Sequence, residues 1–90
     1  MRRPVYTKQF HKDIKRMQRA GNKDMEKLKR VVTALIEEEP LDKSYRDHPL
    51  KGPFKDRREC HLAPDRLLVY KLDKKEIVFE RTGSHADLFE

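Results

Sequence analysis

Ninety residues with 36% hydrophobic and 42% charged side chains, and no tryptophan, provide for one domain (1–90) and exclude a second core. The net charge of +6 and the pI near 9.6 favour a polyanionic partner. Cys60, the single cysteine, excludes an internal disulfide, and no apolar run approaches the roughly 18 residues of a membrane span, so a cytoplasmic protein without a membrane partner is expected.

Arg2 to Tyr6 reads as a short first strand at a sheet edge, where Pro4 need not donate a hydrogen bond. Thr7 to Ala20 has a helical pattern, with Thr7 as N-cap and Gly21 as the stop. Phe10, Ile14 and Met17 share its buried face. At about 100° per residue, Lys8, Lys12, Lys15, Arg16 and Arg19 gather on the other side as a cationic ridge. A second helix is expected from Lys23 to about Glu38, capped by Asn22 and ended by Pro40. Met25, Leu28, Val31, Val32, Leu35 and Ile36 form its apolar stripe. Glu37-Glu38-Glu39 opposes the helix dipole, and a contact with a basic partner is one reading of that run.

Leu41 to Lys55 reads as a long ordered loop bearing Tyr45, Asp47, His48 and Lys51, and loops of that length in a small domain are often functional. Three strands follow. Arg58–Leu62 turns through Ala63-Pro64-Asp65 into Arg66–Leu72, the most apolar run, and Asp73-Lys74-Lys75 returns the chain along Glu76–Arg81. The predicted fold is α+β, in the order β-α-α-β-β-β. It has a mainly antiparallel four-stranded sheet, two N-terminal helices on one face and a short C-terminal helical turn.

In such a meander, strand ends meet at alternate edges, so the Pro64 turn and the residues leaving the last strand share one edge. That brings His85 towards His61 and Asp65. Two imidazoles and a carboxylate in a basic protein point to acid/base chemistry on a phosphodiester, because an imidazole with an ordinary pKa of about 6.5 has both forms populated near neutrality. Two other classes stay open. Histidines and a carboxylate are also zinc-type ligands, although no HxH or HExxH pair fixes them on one element. A non-catalytic RNA- or protein-binding role is the other. Cys60 and His11 read as packing and solvated helix residues, and Phe89 as either a core anchor or a base-stacking ring.

Three stretches resemble the YafQ branch of the RelE-type bacterial toxins. They are Tyr45-Arg46-Asp47-His48-Pro49-Leu50-Lys51-Gly52, Glu59 to Asp65 followed by Leu68 to Leu72, and Phe79 to Phe89. The resemblance spans essentially the whole chain. It implies a RelE-like fold and a ribosome-dependent endonuclease that cuts messenger RNA in the decoding site, docks on ribosomal RNA and is neutralised by a cognate antitoxin with a DNA-binding domain. It further implies His48, His61, Asp65 and His85 as the active centre, Arg81 near the phosphate and Phe89 close to the RNA, with no cofactor or metal. Arg66 departs from the aromatic found at that position in the branch and exchanges stacking for a phosphate contact. Lys51 adds a cation on the loop, while Lys12, Lys15 and Arg16 form the ribosomal-RNA face. The working assignment puts His48 and Asp65 on the base side, His85 on the leaving-group side, His61 at the phosphate or as the other proton-exchange partner, and Arg81 on the developing charge.

Overall fold

The computed structural model describes residues 1–21, 24–54 and 56–89, with the side chain of Phe54 left aside. Strand β1 (Arg3–Tyr6) leads into helix α1 (Lys8–Arg19), followed by helix α2 (Met25–Ile36). Two 3₁₀ turns (Lys43–Tyr45 and Gly52–Phe54) flank the two-residue strand β2 (His48–Pro49). Strands β3 (Arg58–Ala63), β4 (Arg66–Leu72) and β5 (Glu76–Gly83) complete the sheet, and helix α3 (His85–Phe89) ends the chain.

Thr7 caps α1 by accepting a bond from the Phe10 amide at 3.0 Å, and Gly21 stops it with a φ of +66°. The expected second cap, Asn22, and the expected start at Lys23 lie outside the described residues; Asp24 precedes α2 instead. Helix α2 ends at Ile36, four residues short of Pro40, through a Schellman closure. The Glu39 amide reaches the Ala34 carbonyl at 2.9 Å and Glu38 takes a left-handed φ of 60°. A non-glycine residue pays for that conformation. Its carboxylate lies 2.8 Å from the α-amino group of Met1 and 3.8 Å from Arg2. Part of the acidic run is therefore answered within the chain.

The sheet has five strands rather than the expected four, in the order β1-β5-β4-β3-β2. The additional strand is β2, which pairs antiparallel with β3 so that His48 lies opposite Glu59. Two residues are too few to display any periodicity. β1 runs parallel to β5, and the β3–β4–β5 meander is antiparallel.

Alternation assigns the two faces. Cys60, Leu62, Leu68, Tyr70, Ile77 and Phe79 point towards the helices and build the core with Phe10, Met17, Leu28, Val31 and Leu35. Glu59, His61, Leu67 and Val69 occupy the opposite face. Because Val69 pairs with Arg81 while Tyr70 pairs with Phe79, Glu80 is the extra residue of a bulge, which returns Arg81 to the face of Val69. Among the described residues, no helix is long and apolar enough to cross a membrane.

Candidate active site: a row of histidines on the sheet

Residues directly opposite in an antiparallel pair point the same way, so the His48–Glu59 pairing places His48 beside Glu59 and His61. The His48 and His61 rings stack with centroids 5.9 Å apart, and His85 follows 6.1 Å beyond His61. The Phe89 ring lies 6.4 Å past His85. The fold thus collects three imidazoles, contributed by β2, β3 and α3, into one row.

The His48 end is fixed by its loop. Asp47 receives the Arg58 guanidinium at 3.3 and 3.4 Å and accepts the buried Tyr70 hydroxyl, which bolts the loop to β3 and β4. Burial and the bond to Asp47 together push the Tyr70 phenol far above its usual range. Arg46 adopts a left-handed φ of 49°, and its carbonyl accepts the His48 Nδ1–H at 2.6 Å. A carbonyl only accepts, so the proton sits on Nδ1, and Nε2 turns towards the Glu59 carboxylate 3.7 Å away.

Glu59 is a buried carboxylate between two histidines, its other oxygen 3.5 Å from His61 Nε2. The sequence reading missed it. The signal was present, because Glu59 and His61 are two apart on a strand and share a face.

At the other end, Asp65 accepts from both the His85 amide at 3.1 Å and the His85 ring Nδ1 at 3.0 Å. These bonds, the ring contact first, hold the Asp65 carboxyl below its usual range. The expected meeting of the Pro64 turn with His85 is thus observed. Asp65, however, joins His85 rather than His48, with which it was grouped on the base side. With Nδ1–H given to a carboxylate, His85 Nε2 is the ring atom left for exchange. Helix α3 is closed by a reciprocal cap in which Ser84 N donates to Asp87 at 3.0 Å and Asp87 N donates to Ser84 Oγ at 3.1 Å.

Arg81 donates through Nε at 2.8 Å and Nη2 at 3.2 Å to Asp13, which is fully buried on α1. The two N–H groups of Nη1 have no protein partner among the described residues. Arg81 and Phe89 line a groove of about 380 Å³ with Pro53, Arg57, Val69 and Leu88. A larger groove of about 620 Å³ runs past His61, His85 and Pro64 to Tyr45, Arg46 and Lys27.

Not every expected RNA contact lies on this face. Lys51 is exposed on the loop, whereas Arg66 lies 3.8 Å from Asp24. Lys12 and Lys15 are exposed on α1, across the sheet from the histidines, and form no ion pair with the described residues. Arg16 belongs less to that ridge than its spacing implied, because it binds Asp13 at 3.1 Å and Asp87 at 3.6 Å. Lys55 lies outside the described residues. Cys60 is buried against the helices, and burial raises its thiol to about 12, which suits packing.

Comparison with known proteins agrees with this fold. Residues 2–90 match the family described as the YafQ bacterial toxin of type II toxin-antitoxin systems. The chain is 49% identical over 85 residues to the mRNA interferase toxin YafQ of Escherichia coli K12, covering 93% of this chain and 91% of that one. The E. coli DinJ-YafQ complex contains a chain that superposes with a TM-score of 0.92 at 47% identity, each chain covered completely. A metal-bound toxin from Helicobacter pylori superposes at 0.90 with 46% identity, over 99% of this chain and 100% of that one. From fold, motifs and this match alike, the chain belongs to the YafQ family of bacterial type II toxins.

Proposed function

We propose that the protein is an endoribonuclease toxin that cleaves messenger RNA in the decoding site of the ribosome, without a metal, and is neutralised by a cognate antitoxin. The observation that carries this reading is the row His48, His61, His85, with Asp65 and Glu59 as carboxylate partners. Cleavage requires the 2′-hydroxyl to lose a proton as its oxygen bonds to phosphorus, and the departing 5′-oxygen to gain one as its bond to phosphorus breaks. His48, its Nδ1–H fixed by the Arg46 carbonyl, takes the 2′-proton at Nε2. His85, fixed by Asp65, delivers a proton to the 5′-oxygen from Nε2. His61 binds the phosphate between them, and Arg81 meets the charge that grows on it through Nη1. The products are a 2′,3′-cyclic phosphate and a 5′-hydroxyl.

Lys12 and Lys15 supply the long-range attraction to ribosomal RNA, and the +6 body suits an acidic antitoxin segment. Primer extension on a translated message, with and without ribosomes, tests the reading. Cleavage is expected only with ribosomes and is lost in His48→Ala, His61→Ala and His85→Ala. Equal cleavage of free RNA contradicts the ribosome requirement. Reversing Lys12 and Lys15 to glutamate is expected to weaken co-sedimentation with ribosomes in a salt-dependent way, and unchanged sedimentation removes the docking role.

A second reading has one observation behind it. Ligand atoms of His48, Glu59 and His61 lie within 4.8 Å of one another, a set suited to a divalent ion, and one relative was crystallised with metal bound. Such an ion would supply Lewis-acid or bound-water chemistry. Cleavage that persists in excess chelator excludes that reading, and cleavage that stops and returns with added ion establishes it.

A further inference from the structure

Asp13 is the group that the cleavage chemistry does not use and that the fold treats most carefully. It sits on the apolar side of α1 between Phe10 and Met17, with no exposure to solvent. An uncompensated carboxylate there would be strongly destabilising. Instead it accepts from Gln9 at 3.2 Å, Arg16 at 3.1 Å, Arg81 at 2.8 and 3.2 Å, and the Thr82 amide at 3.1 Å. These donors fill what two carboxylate oxygens can accept.

Both guanidiniums continue to the same place. Arg16 lies 3.6 Å from the Asp87 carboxylate and Arg81 Nη2 is 3.4 Å from the Asp87 carbonyl. Asp87 is the middle residue of α3, a five-residue helix with no buried side chain that carries His85 at its first position and Phe89 at its last. A helix that short does not hold its own conformation. The fit is close: a Cβ at Gly83, where φ is +153°, would meet Asp87 Oδ2 at 3.0 Å and Arg16 Nη2 at 3.1 Å. An apolar residue at 13 would bury as well but would leave both guanidiniums without the carboxylate that aims them at α3.

We propose that Asp13 is a positioning residue for the active centre, holding α3, and with it His85 and Phe89, through two guanidinium arms, Arg16 and Arg81. The proposal deepens the ribonuclease reading and rests on it for its kinetic consequence alone. Asp13 touches no substrate. It fixes where the last imidazole of the row points, so it acts on kcat rather than on binding.

The test compares the unmodified chain with Asp13→Asn and Arg16→Gln, following amide exchange at Leu88, whose N–H reaches the Ser84 carbonyl at 3.1 Å within α3. The Leu28 amide, bonded to the Asp24 carbonyl at 2.9 Å in α2, is the control. In Asp13→Asn, Leu88 is expected to exchange about tenfold faster with Leu28 unchanged, and kcat to fall about ten- to a hundredfold with KM nearly constant. Unchanged Leu88 exchange in a folded Asp13→Asn protein overturns the proposal, as does equal acceleration at both amides, which marks a global effect. Should Asp13→Asn fail to fold, Arg16→Gln decides, since that side chain is half exposed: faster Leu88 exchange supports the arm, and unchanged exchange overturns it. An unmodified chain that cleaves no message sinks the ribonuclease reading but leaves the exchange result standing.

Discussion

The two faces of the sheet draw on the same three strands but are held by different forces. Towards the helices, Leu68, Tyr70, Ile77 and Phe79 are almost wholly buried among apolar neighbours, and their stabilisation comes from area removed from water. On the other face, Glu59, His61 and Arg81 alternate with them along the same strands and keep their places through polar partners, Glu59 and His61 through each other and Arg81 through Asp13 on α1. One face maintains the scaffold by non-directional packing, while the other uses that scaffold to fix the direction of individual ring nitrogens. Stability and activity should therefore separate by face.

The sharpest way to break the comparison is to substitute one residue on each side. Phe79→Ala is expected to lose about 3–5 kcal/mol, seen as a lowered midpoint in urea unfolding, and to lose activity with it. His85→Ala, on a half-exposed ring, is expected to change stability by about 1 kcal/mol at most while cleavage falls about 10²- to 10⁴-fold. A His85→Ala protein as unstable as Phe79→Ala would erase the distinction. Next in size, Glu59→Gln keeps the shape of β3 but removes the charge that faces two imidazoles. Single-turnover cleavage is expected to slow about tenfold, with unfolding little changed.

The smallest effect concerns pH. Asp65 titrates below its ordinary 3.8 because the folded state hydrogen-bonds the ionised form. A lowered carboxyl contributes stability above its unfolded pKa and loses it as pH falls through the folded value, so this contribution disappears only in acid. A carboxyl-carbon NMR titration should place Asp65 below 3.8 and show it rising partway in His85→Ala, where the residue 85 amide still donates. No movement would mean that the two side chains are not coupled.

The legible parts of the sequence were those with local signatures. The apolar runs and their Pro64-Asp65 and Asp73-Lys74-Lys75 turns disclosed the β3–β4–β5 meander, and the geometry of a meander disclosed that His85 meets Asp65. The missing parts were fixed by partners without one. β2 is defined by its pairing with β3, and the left-handed Glu38 by the closing hydrogen bonds of α2. Asp13 has no local signature of its role, although its spacing from Phe10 and Met17 places it on the buried stripe. Its partner Arg81 lies 68 residues away, a distance that no periodicity spans. Glu59 shares a strand face with His61 by its two-residue spacing, but a carboxylate at the start of a strand is usually solvated, and its burial comes from a loop that follows no regular pattern.

The central claim is that the row of imidazoles exchanges protons directly with the RNA. Its most direct test is the chemistry of the ends released from a ribosome-bound message, read by mass spectrometry. A 2′,3′-cyclic phosphate or its hydrolysis product, paired with a 5′-hydroxyl, is the predicted result. A 3′-hydroxyl paired with a 5′-phosphate would show that the attacking oxygen came from water and would contradict the account.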